Sequence, residues 1–198
     1  MLESLPVLMG RRVLLREVRE DDAELVFQYT RNPEVTKFLA FESPEVIEET
    51  ELFIARAREF RLQDREYVFA IADVATDRPL GVTALRHIDP LMSTAQIGTW
   101  VAHPYWGRGI NAEAKELLLD YAFGPLGLHR IEARILPENQ RSCRAFEKLG
   151  AVCEGTLHES FVKRGSYYDT RLYAILSSGW ARRREAERAV GARRSKNV

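Results

Sequence analysis

Tyr105-Trp106-Gly107-Arg108-Gly109-Ile110-Asn111-Ala112-Glu113-Ala114 reads as a glycine loop that opens directly into a helix. Upstream, Ile97-Gly98-Thr99-Trp100-Val101 is short, β-branched and aromatic, which suits a strand. Downstream, Ala114, Leu117, Leu118, Tyr121 and Ala122 recur at the spacing of one helix face. A helix that starts at such a loop aims several unpaired N–H groups, and the positive end of its dipole, at one point. Glycine at 107 and 109 lets a phosphate approach the backbone closely, so the stretch predicts a phosphorylated cofactor.

Moving outward, 198 residues suit one domain able to bury a substantial core. Lys+Arg and Asp+Glu both number 29, so no global field points to nucleic acid or a membrane. Cys143 and Cys153 have no metal-ligand spacing and read as free thiols in a reducing compartment. Residues Met1 to Leu8 lack a signal-peptide pattern and no run is long enough to span a bilayer, so the expectation is a soluble, cytoplasmic chain. The arginine-rich residues 181–198 read as a solvated or frayed tail.

Val13 to Arg16 predicts a first strand, Ala23 to Arg31 an amphipathic helix, and Pro44 the start of a longer helix. Strands at Tyr67 to Ala72, Leu80 to Ile88 and Ala95 to Val101, separated by turn-like segments, predict an antiparallel meander. Arg130 to Ile135 alternates as a half-buried strand, and Asn139 to Leu149 reads as a helix capped by Asn139 and stopped by Gly150. Strands at Val152 to Val162 and Asp169 to Leu176 close the order, with Lys163-Arg164-Gly165-Ser166 between them. Meander, helix, strand, helix and hairpin make an α+β chain whose sheet is neither purely parallel nor purely antiparallel.

Four elements together resemble the GNAT acetyltransferases, in particular the RimJ/RimL-like branch: Leu85 to Asp89, Ile97 to Trp100, Trp106 to Asn111 with Glu113-Ala114, and Asn139 to Ser142 ending in Glu147 to Gly150. The resemblance spans residues 13–180 and implies a mostly antiparallel, twisted central sheet flanked by helices. It implies acetyl-CoA as donor and a primary amine as acceptor, a protein N-terminal α-amine or a small-molecule amine, attacked directly in a ternary complex. A homodimer is one assembly it leaves open.

The family's pyrophosphate loop maps onto Trp106, Gly107, Arg108, Gly109, Ile110 and Asn111, with Trp106 and Asn111 departing from its usual residues. Trp100 and Val101 match the strand whose backbone pairs with the pantetheine arm. By the Asn-x-x-Ser element, Asn139 faces the cofactor and Ser142 its thiol end, where a hydroxyl donates to the departing thiolate. Asn139 reads equally well as a simple helix cap. The family's basic glutamate is replaced by Gln96, and its tyrosine acid by Phe146, which reads as core beside the cofactor. Neither replacement can exchange a proton near pH 7. Glu159, or else His158 or water, is left as a base. Two other readings stay open. One is a non-catalytic acetyl-CoA sensor or scaffold. In the other, Gly107-x-Gly109-x-x-Ala112 is a dinucleotide loop for NAD, with Glu132 on the ribose.

Overall fold

Three consecutive strands form the meander that the turn spacing predicts: β3 (Tyr67–Asp73), β4 (Pro79–Asp89) and β5 (Thr94–Val101). The structure, a computed structural model, describes residues 4–195, with side chains through residue 190. Before the meander come β1 (Leu8–Met9), β2 (Val13–Glu17), α1 (Ala23–Thr30), α2 (Pro33–Thr36) and α3 (Ile47–Leu62). After it come α4 (Ile110–Phe123), β6 (Arg130–Ile135), α5 (Gln140–Lys148), β7 (Val152–Lys163), β8 (Ser166–Leu176) and α6 (Ser177–Ser195). The eight strands make one sheet in the order β1-β2-β3-β4-β5-β6-β8-β7. Every pairing is antiparallel except β5 with β6, so the sheet is mixed and mostly antiparallel, as expected.

Helices cover both faces, and the strand sequences show why. Tyr67-Val68-Phe69-Ala70-Ile71-Ala72 is buried throughout, which a strand solvated on one face would not tolerate. Phe69 and Ile71 join a layer with Leu118 and Leu119 of α4, Ile131 of β6 and Phe146 of α5. Val68 and Ala70 join the opposite layer with Val26 of α1 and Ile54 of α3.

Several boundaries depart from the sequence reading. The long helix begins at Ile47 rather than Pro44, because the N–H groups of Glu45 and Val46 both donate to the Glu49 carboxylate and hold that turn outside the helix. Proline instead opens the short α2, whose N-cap Asn32 accepts from the Glu34 N–H. The last hairpin is longer than expected, since Arg164 and Gly165 both have φ > 0 and make a two-residue turn. The arginine tail is, through Ser195, helix α6. Arg183 pairs with Glu116 at 3.3 Å and Arg184 with Asp120 at 2.7 Å. Those carboxylates stand one turn apart on α4, so Arg183 and Arg184 are held against the domain, while Arg182 and Arg188 are exposed. Arg193 and Arg194 belong to this helix, but their side chains lie outside the described residues.

Two charged clusters brace the N-terminal strands. The Arg16 guanidinium, 4% exposed, grips both oxygens of Asp22 at 2.7 and 2.8 Å and reaches Asp77 at 2.7 Å. Glu113, in the first turn of α4, accepts from the backbone N–H groups of Arg11 and Arg12 at 2.6 and 2.8 Å and from Arg12 Nε at 2.8 Å. Arg12 in turn donates to the Arg108 carbonyl at 2.5 Å, so the turn after β1 is tied to the glycine loop.

Arg16→Met strands the buried Asp22 carboxylate and is expected to cost about 3–5 kcal/mol in urea unfolding. Burial opposes ionisation of Glu113, but the N–H and guanidinium donors outweigh it and hold its pKa below the usual carboxylate value. A lowered carboxyl pKa adds stability above the unfolded-state value, and that stability is lost as pH falls through the folded value. Glu113→Gln should therefore lower the urea midpoint at neutral pH. The gap to wild type should close as pH falls below the usual carboxylate range, which a pH series of unfolding curves reads directly.

Candidate active site

The site begins where strand pairing stops. β5 and β6 pair only from Thr94 to Gln96 against Arg130 to Glu132, so the two strands part beyond Gln96. Ala102 N–H donates across to Leu80 on the β4 side. The backbone groups of Ile97, Thr99 and Val101, one step out of phase, therefore face the gap. This is an unpaired strand edge inside a covered sheet, a place where an extended molecule bearing amides can pair.

At the upper end of the gap lies the glycine loop. Gly107 and Gly109 both have φ of +75°, a conformation that strains any other residue. A Cβ on Gly107 would enter open space, whereas one on Gly109 would lie 2.8 Å from the Arg12 guanidinium. The first backbone bond into α4 runs from Glu113 N–H to Gly109 O at 3.1 Å, which leaves the N–H groups of Ile110, Asn111 and Ala112 without helical partners. The Asn111 Oδ1 is buried with no partner. Its amide, which can flip end for end, offers a further N–H to the same place. These donors fit a pyrophosphate.

A cleft of about 590 Å³ runs beside the loop. Its walls include Gly107, Gly109, Ile110, Asn111, Asn139 and Ser142, as expected, and also Arg141, Arg144 and Lys148. Those three cations recur three and four residues apart on α5, so they share one helix face and complement an anionic ligand. That spacing was readable in Arg141-Ser142-Cys143-Arg144-Ala145-Phe146-Glu147-Lys148, although the sequence reading passed over it. A smaller cavity of about 120 Å³ continues into the strand gap, and Thr99, Asn139 and Ser142 line both spaces. It is closed by Phe38, Leu39, Phe161, Phe146 and Lys115. Lys163 clamps the cover by donating to the carbonyls of Thr36 at 2.7 Å and Leu39 at 2.8 Å.

Individual expectations fare differently. Asn139 caps α5, accepting from the Ser142 N–H at 3.2 Å, and it also lines the cleft. Phe146 is core, 2% exposed, with one side toward the smaller cavity. Trp106 lines the cleft, but its indole N–H donates to the Val101 carbonyl at 2.6 Å and the Arg141 guanidinium stacks on its ring at 3.9 Å. That bond occupies the Val101 carbonyl, leaving its N–H together with the groups of Thr99 and Ile97, which the sequence reading missed. Trp100 lines the cleft too, but its backbone groups lie on the β4 side rather than facing the gap, and its ring is buried in the second core layer. The Arg108 side chain lies over Tyr105 instead of lining the cleft.

Glu159 is overturned as the base. It is exposed at an irregular step of β7 with φ of +48°, its N–H bonded to Asp169, and it lines neither cavity. His158 is likewise exposed, paired with Asp169 at 3.1 Å. The dinucleotide reading falls too, because Glu132 lies in the body of β6, bound to Arg130 at 2.7 Å, and lines neither cavity.

Residues 12–152 match the model of the family described as the acetyltransferase (GNAT) domain. The N-acetyltransferase p20 of Bacillus licheniformis is 30% identical over 174 residues, covering 88% of this chain and 98% of that protein. The crystal structure of a GCN5-related N-acetyltransferase from Brucella melitensis superposes with a TM-score of 0.81 at 28% identity, covering 93% of this chain and 84% of that one. Spermidine N-acetyltransferase from Vibrio cholerae, solved with CoA and spermine, gives 0.76 at 25% identity, covering 87% and 99%. The family model spans well over half of the chain, so the chain belongs to the GNAT acetyltransferases, which move an acetyl group from acetyl-CoA to an amine.

Proposed function

We propose that this enzyme acetylates amines that reach the thioester uncharged, namely protein N-terminal α-amines and small-molecule amines of similarly low pKa, by direct attack in a ternary complex. The observation that carries the reading is the wall of the smaller cavity. Its charged residues are Lys115 and Arg134, and no carboxylate is among them. Nothing there attracts an ammonium group, and Gln96 does not line either space.

Magnitudes favour a weakly basic acceptor. An α-amine has a pKa near 8 and a lysine amine about 10.4, so their neutral fractions near pH 7 differ by roughly two and a half decades. Each decade is about 1.4 kcal/mol of barrier, so the α-amine avoids roughly 3–4 kcal/mol of deprotonation. A site with no carboxylate to deprotonate an ammonium before attack discriminates by that amount before any contact with the rest of the acceptor. The likeness to the RimJ/RimL-like branch, carried by Trp106 to Asn111 and Asn139 to Ser142, supports the same acceptor class.

In this reading the loop N–H groups and the α5 cations hold the phosphates, and the β5 edge holds the pantetheine amides. Ser142 sits where both cavities meet, and its hydroxyl, free of protein partners among the described residues, faces the thiol end. Positioning of this kind supplies several kcal/mol without any titrating group.

Thiol release from acetyl-CoA should be followed with a peptide bearing a free N-terminus, its N-blocked counterpart bearing one lysine, and spermidine. We expect kcat/KM for the α-amine to exceed the others by about 100-fold near neutral pH. Preference for lysine or spermidine overturns the acceptor class. Tight acetyl-CoA binding without thiol release for any amine identifies the chain as a sensor instead.

A further inference from the structure

Lys115 lies on α4 among residues that build the core: Ala114, Leu118 and Leu119 are fully buried around it, and Lys115 itself is 3% exposed. No hydrogen bond or ion pair holds its ammonium among the described residues. The ammonium instead sits 4.5 Å from the centre of the Phe146 ring and lines the smaller cavity with Ser142. An aromatic face offsets only part of the desolvation of a buried cation. Leucine or methionine would pack there at less cost, so the lysine is a departure from good packing made at the end of the cavity where the thioester must lie.

That placement follows from the geometry of the donor site. With the phosphates at Gly107 to Gly109 and the arm along the edge from Val101 toward Ile97, the acetyl end enters the smaller cavity. We propose that Lys115 is a catalytic residue of the acetyl transfer, its ammonium facing the thioester sulfur and protonating the departing coenzyme A thiolate in the role Phe146 cannot fill. The proposal rests on the acetyl-CoA-dependent reaction described above.

The step balances as follows. The neutral amine nitrogen attacks the thioester carbonyl carbon and forms the C–N bond. Collapse of the adduct breaks the C–S bond, and its electron pair leaves on sulfur. The thiolate takes a proton from Lys115 and becomes the free thiol. The proton lost by the amide nitrogen returns to the lysine amine, so amine and thioester become amide and thiol with no net change in the enzyme. Burial, with the positive charge of Arg141 second, pulls the Lys115 pKa down to about 8. Arg134 on β6 is the other charged group lining that cavity. A donor of that strength is still about nine-tenths protonated at pH 7, yet yields its proton more readily than an ordinary lysine.

The test pairs Lys115→Met with Lys115→Arg. Removing a buried unpaired charge is expected to raise the melting temperature of Lys115→Met at neutral pH, which also reports that the variant folds. Its kcat should fall about 100-fold with acetyl-CoA affinity by calorimetry within about twofold of wild type. A readout independent of turnover is the thiol of bound coenzyme A, titrated by thiolate absorbance. In wild type it should titrate at least about one pH unit lower than in Lys115→Met, and Lys115→Arg, which keeps the charge, should restore the low value. A Lys115→Met enzyme with wild-type kcat and an unmoved thiol titration overturns the assignment. Failure of the wild type to bind acetyl-CoA would instead overturn the reading on which it rests.

Discussion

The site depends on a parallel pairing that lasts three residues. Where β5 leaves β6 beyond Gln96, backbone groups that would otherwise complete the sheet are left without partners in a covered interior. Unpaired amides in such a place are expensive unless a ligand or water satisfies them. The splay therefore builds a strand-shaped recognition edge into the middle of a stable sheet. The glycine loop lies immediately after β5, so the same divergence sets the distance between the phosphate donors and the strand edge.

Neighbouring contacts hold that opening in place. The Trp106 indole ties Val101 to the loop while Arg141 stacks on its outer face, linking β5, the loop and α5 through one side chain. Glu113 and Arg12 fasten the loop to the N-terminal strands from the other side. Lys163 binds the last hairpin to the segment after α2, closing the acceptor end. A loop braced on three sides loses little freedom on binding, which favours positioning over induced fit.

Much of the fold was legible because its elements are locally consistent. Alternation in Arg130 to Ile135, the unbroken apolar run from Tyr67 to Ala72 and the caps at Asn139 and Gly150 each report a local preference that packing then reinforces. The start of α3 was misplaced because a carboxylate two residues inside the helix captured the N–H groups after Pro44, a competition that proline preference does not describe. The docking of α6 was not legible because Arg183 and Arg184 look solvated until Glu116 and Asp120 of α4 are seen beside them. Glu159 was plausible by type alone, and only the path of β7 shows it turned to solvent.

The sequence by itself determined the glycine loop, the helix that follows it, the serine on α5 and the presence of Gln96 and Phe146, because each is a residue type at a fixed local spacing. Tertiary structure decided which groups reach the cleft and the strand gap: that Thr99 and Ile97 present the free edge, that the Trp100 ring turns into the core, and that Lys115 lines the smaller cavity. Those outcomes follow from the divergence of two strands distant in sequence and from how α4 rolls onto them. A linear pattern records the period of a helix or strand but not the angle at which a partner meets it.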